Sequence, residues 1–169
     1  MTNSGVSREA DAQAGSTQTN HAWNSLAWDH SAPFMRCFEV RAEHIDALAH
    51  TNNTIYVNWC METAWAHTTC LGLGAAEYQS LDRAMALRRA EYDYLCATRL
   101  GDTVVAGTWI TGWDRRLVMK RQVQLINALT GTVVLRARLD FVCIEISSGK
   151  AKRPPPAFID HYTPVIINP

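Results

Sequence analysis

The chain has 169 residues, the size of one ordinary domain, and 47% of them are hydrophobic against 19% charged, a normal balance for a globular protein with a real core. Sixteen Lys and Arg residues offset sixteen Asp and Glu, so no global field draws the molecule to nucleic acid or to an anionic membrane. No apolar run approaches the roughly 18 residues of a membrane span, and the first residues lack the basic and apolar regions of a signal peptide, so a cytoplasmic protein is expected. The five cysteines, Cys37, Cys60, Cys70, Cys96 and Cys143, are odd in number and form no C-x-x-C pair, which fits free thiols better than a disulfide framework or a zinc cluster.

In chain order, residues 1–31 are rich in Ser, Thr, Asn, Gln, Gly and Ala and hold few apolar anchors, which predicts a flexible tail; Trp23 and Trp28 are the residues that could dock it. A domain over 32–160 and a C-terminal tail over 161–169 complete the expected layout. Phe34 to His44 alternates as a strand, with Phe34, Arg36, Phe38, Val40 and Ala42 on one face. A polar loop follows, and Asn53 is expected to cap a helix over residues 54–71. That helix is apolar on nearly every side, so it is a buried one, and Gly72 and Gly74 end it.

Beyond it the period changes to two. Ala90, Tyr92, Tyr94 and Cys96 alternate with Arg89, Glu91 and Asp93; after the turn Leu100-Gly101-Asp102, Val105, Trp109 and Trp113 share a face. Asp114-Arg115-Arg116 reads as a hairpin turn, then Leu117, Met119, Val123 and Leu125 alternate with Lys120, Gln122 and Gln124. Thr130-Gly131 turns the chain into Leu135, Ala137, Leu139, Phe141 and Cys143. Short connections make these strands antiparallel, so the fold class is α+β, and the buried helix has its natural home against the concave face of a curved sheet.

The junction reads His44-Ile45-Asp46-Ala47-Leu48-Ala49-His50-Thr51-Asn52-Asn53-Thr54-Ile55-Tyr56-Val57-Asn58-Trp59. It resembles the 4-hydroxybenzoyl-CoA thioesterase-like family of hotdog proteins, whose members carry an Asp in a D-x-x-G-H-x-N-N loop followed by Tyr and an aromatic on the central helix. The resemblance runs from about Phe34 to Phe158. It implies a hotdog fold of about five strands around a long helix, and hydrolysis of acyl-CoA to a carboxylic acid and free CoA without a cofactor. It also implies a homodimer, or a homotetramer built from two, with the site between subunits. An acyl-carrier-protein thioesterase and a non-catalytic acyl-thioester-binding protein are the rival readings, since fold alone does not fix function.

On chemistry, thioester hydrolysis needs a base or nucleophile beside the carbonyl carbon and donors for the oxyanion. Asp46, in the loop that leads to a helix N-terminus, fits the first role; the unpaired N–H groups of that terminus fit the second. The competing reading of Asp46 is a turn-capping aspartate. His50, Asn52 and Asn53 either position substrate or fix the loop, and Tyr56 and Trp59 either contact the acyl group or belong to the core. Glu62 is a further acidic group on the helix. His44, Asp46 and His50 do not make a metal site that any second-shell pattern supports. The run Lys150-Ala151-Lys152-Arg153 before three prolines is a stiff solvated exit, or a set of cations (Lys150, Lys152 and Arg153) for the CoA phosphates. Two residues depart from the family pattern. His44 stands where an acidic residue often precedes the catalytic one, and Ala49 replaces a glycine, which implies either an ordinary φ or a strained loop.

Overall fold

A computed structural model describes residues 23–167. The strands are β1 (Phe34–Glu39), β2 (Arg83–Tyr94), β3 (Thr103–Trp113), β4 (Val118–Asn127) and β5 (Val133–Glu145). They form one five-stranded sheet in the order β1-β3-β4-β5-β2, antiparallel throughout. The helices are α1 (Asn53–Cys70), α2 (Ala75–Leu81) and α3 (Pro156–Tyr162).

Helix α1, expected to be buried on every side, is buried on one face only: Tyr56, Trp59, Cys60, Thr63, Ala64, His67 and Thr68 turn to the sheet, while Asn58, Glu62, Trp65 and Thr69 on the other face are exposed. Tyr56, Trp59 and Cys60 join one buried cluster with Val104, Ala106 and Ile110 of β3, Met119, Val123 and Leu125 of β4, and Leu135, Ala137 and Leu139 of β5. Phe34, Arg36 and Phe38 of β1 all meet α1: Phe34 stacks on His67, Phe38 stacks on Trp59, and Arg36 pairs with Glu62 at 3.9 Å on the surface. The helix ends at Gly72, whose φ of 81° suits a residue without a Cβ.

The sequence places Val105, Trp109 and Trp113 on one face, but a register shift between Ile110 and Gly112 divides them. Trp113 turns to the core side, edge-on to Tyr162, while Trp109 stays on the outer face. An inserted residue has this effect because side chains alternate strictly with position.

That outer face is covered by residues expected to be tail. Trp28 lies edge-on to Trp109, and Asp29 N–H donates to Gln124 Oε1 at 2.8 Å while Gln124 Nε2 donates to Ala27 O at 3.1 Å. Arg136 grips the Asp29 carboxylate through two nitrogens, at 2.6 and 2.9 Å. The packed domain therefore begins before residue 32, and residues 1–22 of the expected tail lie outside the described residues. At the other end, Pro156 opens α3, whose Phe158 and Tyr162 are fully buried, and Ile166 bridges to Ile110. Packing thus continues past residue 160 through the described part of the expected C-terminal tail. Among the described residues no helix is long and apolar enough to cross a membrane.

Candidate active site

The loop between β1 and α1 is pinned at its base. Ile45 bridges Thr51, Asp46 N–H donates to His50 O at 2.8 Å, and Asn52 N–H donates to His44 O at 2.8 Å. Inside this pinch the Asp46 Oδ1 accepts from Leu48 N–H at 2.8 Å and from His50 N–H at 3.3 Å. One carboxylate oxygen is thus used to hold the loop, and the other accepts no hydrogen bond from the described residues. The turn forces Ala49 to a φ of 59°, so the loop keeps the shape a glycine would favour and carries the strain.

A second set of bonds fixes the loop to the segment after β2. Thr51 N–H donates to Thr98 O at 2.9 Å, and the two threonine hydroxyls lie 2.8 Å apart. The buried Tyr56 hydroxyl accepts from Thr98 N–H at 2.9 Å and lies 3.0 Å from Thr98 Oγ1. Tyr56 therefore locks the first turn of α1 to the loop around it.

The helix cap is Asn52, one residue earlier than the sequence suggests: its Oδ1 accepts from Thr54 N–H at 2.9 Å and from the Thr54 hydroxyl at 2.8 Å. Two adjacent asparagines offer the same capping chemistry, and the bridge that fixes Thr51 selects the first. Asn53 becomes the first helical residue, whose N–H has no acceptor within the helix and sits at the positive end of its dipole.

Asp46, Leu48, His50, Asn53, Tyr56 and Tyr94 line one cavity of about 300 Å³ together with the chain just after β2. A half-buried carboxylate and the amide end of an eighteen-residue helix thus border the same space. The other proposed site residues lie elsewhere. The Asn52 amide is spent on the cap, and Trp59 is buried against Phe38, His44 and Tyr56 without lining the cavity. Lys150, Lys152 and Arg153 follow β5 near the start of β2, where Lys152 Nζ reaches Glu145 at 3.6 Å. The cavity lies at the other end of β2, eleven residue steps away, roughly 36 Å at ~3.3 Å per step.

One polar cluster escaped the sequence reading. Arg121, on the core face of β4, is 1% exposed, and its Nη1 lies 2.9 Å from His67 Nδ1. Burial, then the neighbouring guanidinium, pushes the His67 pKa down to about 4, so its ring is neutral and Nδ1 accepts. Burial lowers Arg121 to about 10, which leaves it charged at neutral pH. A cation between Met119 and Val123, in a run of core-facing positions, was the available signal.

Comparison with known proteins sets this architecture in a family. The model of the thioesterase-like superfamily matches residues 40–161. The chain belongs to that superfamily. Thioester hydrolysis is the activity that goes with the membership, and the superfamily's fold is found in solved structures similar to this thioesterase-like chain. One is Slr0204, a 1,4-dihydroxy-2-naphthoyl-CoA thioesterase from Synechocystis, with 18% identity, a TM-score of 0.70, and 78% of this chain covering 96% of that one. A second is the protein SAV2348 from Staphylococcus aureus in complex with CoA, at 19% identity and TM-score 0.73, covering 82% of this chain and 88% of the other. The 12:0-ACP thioesterase from Umbellularia californica has 20% identity and TM-score 0.72, and 83% of this chain spans 56% of it. At these identities the likeness is one of fold: the curved antiparallel sheet around a helix is the hotdog arrangement. No curated protein sequence matches the chain.

Proposed function

We propose that this thioesterase-like protein hydrolyses acyl-CoA to a carboxylic acid and free CoA, with Asp46 as the reacting carboxylate. The observation that carries the reading is the shared cavity, which Asp46 and the first helical residue, Asn53, both line. A thioester carbonyl held there would meet the Asn53 N–H as its oxygen gains charge, and a single such donor is worth roughly 3 to 4 kcal/mol in the transition state. Asp46 either attacks the carbonyl carbon and expels the CoA thiolate, leaving an acyl anhydride on its own carboxylate that a water then cleaves to the free acid, or takes a proton from a water that attacks the carbonyl carbon and expels the thiolate directly. His50 and Tyr56 act by holding the loop and the first helical turn in register. Asn52 acts through the cap, and Trp59 acts by packing behind Tyr56.

The free edge of β2 supports a homodimer, because a twelve-residue edge strand leaves a row of unpaired backbone groups. An antiparallel pairing of two copies along this edge would set the start of one β2 beside the end of the other. Lys150, Lys152 and Arg153 of one subunit would then approach the cavity of its partner, where they could meet CoA phosphates. The reading is tested by thiol release from a panel of acyl-CoAs and from matched carrier-bound thioesters. Turnover favouring the CoA esters is expected, and replacing Lys150, Lys152 and Arg153 by Gln should raise KM for acyl-CoA with kcat little changed. A preference for carrier-bound esters would transfer the proposal to that substrate class, and no thiol release from either would remove it.

A further inference from the structure

Arg121 poses a problem that the hydrolytic site does not answer. Its guanidinium is enclosed, yet every hydrogen-bond acceptor it meets among the described residues is neutral: the His67 ring, the Thr108 hydroxyl at 3.4 Å and the Thr68 hydroxyl at 3.4 Å. Its Nε–H meets no acceptor among the described residues. The ion pairs of Asp29, Glu62, Glu91, Asp93 and Glu145 are all made with other cations. Tyr78 and Tyr162, which share a hydrogen bond of 2.7 Å beside this cluster, are held in the phenol form by burial, so neither supplies a negative charge. A buried cation without an anion is a costly arrangement, which an anionic guest would relieve.

There is room for one. A cavity of about 120 Å³ between α1, α2 and the sheet is lined by Arg121 and by Met61, Trp65, Tyr78, Met85 and Phe141 among others. Its walls are apolar apart from this cation and the hydroxyls of Thr68 and Tyr78. An enclosed apolar cavity of about 150 Å³ holds a whole benzene ring; this smaller one opens to solvent beside the exposed Trp65 and Leu87, so a ring of that size is held in part. We propose that this cavity binds a free monocarboxylate with a small apolar body, its carboxylate on the Arg121 guanidinium and its body among Met61, Trp65, Met85 and Phe141. The site is separate from the Asp46 cavity. The two share no lining residue, and Met61 and Thr68 lie eight and fifteen residues beyond Asn53 along α1, about 12 to 22 Å at ~1.5 Å per residue. A short acyl group on a thioester held at Asn53 does not span that distance, whereas a free acid needs no span.

The test reads binding without turnover, so it stands apart from the hydrolysis proposal. Sodium benzoate is titrated into the 15N-labelled protein, with benzyl alcohol as the neutral counterpart, and the Arg121 Nε–H resonance is assigned by its disappearance in Arg121→Lys. Benzoate should move that resonance and bind about ten-fold or more tightly than benzyl alcohol, the return of a charge-assisted contact. Arg121→Met, which puts an apolar chain in the cation's place, should abolish the preference. An unmoved Nε–H would overturn the proposal, and so would equal affinity for the two ligands in the wild type, a result that stands even if neither variant folds. A final arm compares dodecanoyl-CoA with its ω-carboxyl analogue. If Arg121→Met slows only the diacid ester while benzoate leaves the Nε–H unmoved, the guanidinium reads the tail of a long acyl group and the free-acid proposal falls.

Discussion

His67 makes a sharp prediction about stability against pH. Its ring is buried against Phe34 and Arg121, and its pKa falls from an ordinary 6.5 to about 4 in the folded chain. Between those values the unfolded chain binds a proton on this residue that the folded chain refuses. The stability from keeping His67 neutral is therefore complete above pH 6.5 and is lost as pH falls towards 4. With those two pKa values the loss reaches about 2 kcal/mol at pH 5 and about 3 kcal/mol at pH 4, at ~1.36 kcal/mol per unit. Urea unfolding followed by far-ultraviolet circular dichroism measures it: at an m-value of ~2 kcal/mol/M, 2 kcal/mol is a midpoint shift of about 1 M between pH 7 and pH 5. Carboxylates also protonate in this range, so the comparison is with His67→Asn. Its Oδ1 replaces Nδ1 as the acceptor for Arg121 and cannot titrate. The variant should lose about 2 kcal/mol less than wild type over the interval. Equal losses in the two proteins would refute the claim that a neutral, buried His67 limits stability in mild acid.

Two further substitutions probe the loop and the outer face. Ala49→Gly removes a penalty of about 1 to 2 kcal/mol for a side chain at a φ of 59°, of which glycine's own entropy takes back roughly 0.5 to 1 kcal/mol, so the melting temperature should rise by about 1 to 4 °C. A lower melting temperature would show that the loop is not strained at that position. Gly107→Ala sets a Cβ 2.6 Å from Trp28 Cζ3 and 3.0 Å from Pro33 Cβ. The variant should release the segment around Trp28 and cost about 1 to 3 kcal/mol, with faster amide exchange over residues 24–31. Unchanged exchange there would contradict the docking of that segment on β3.

Much of the fold was legible because its signals are local. The two-residue alternation of β4 and β5 follows from each strand's own sequence, whereas the one buried face of α1 does not, because apolar residues such as Trp65 stand on its exposed side as well. Strand order is not local, and nothing in β1 or β2 announces that they form opposite edges of the sheet. The start of β2 was obscure for another reason: Arg83, Ala84, Met85, Ala86 and Leu87 lack the β-branched residues that mark strands. Helices α2 and α3 are seven residues each, too short to impose a periodic pattern, though Pro156 at the first turn of α3 was a usable sign. At the site, the motif placed Asp46, His50, Asn53 and Tyr56 around one cavity, but it did not separate them from Asn52 and Trp59, whose side chains turn to the cap and the core. That separation depends on three-dimensional direction, as does the burial of Arg121, which linear sequence shows only as a break in an apolar face.

The most direct test of the hydrolytic account is Asp46→Asn, measured by thiol release on the best acyl-CoA substrate. Asn keeps the shape and can still accept from Leu48 and His50 N–H through Oδ1, so folding and CoA binding should persist. The account predicts that kcat falls by roughly 100-fold or more while KM changes little, as for loss of a positioned base or nucleophile. A variant that releases thiol at the wild-type rate would leave Asp46 as a turn-forming aspartate and nothing more.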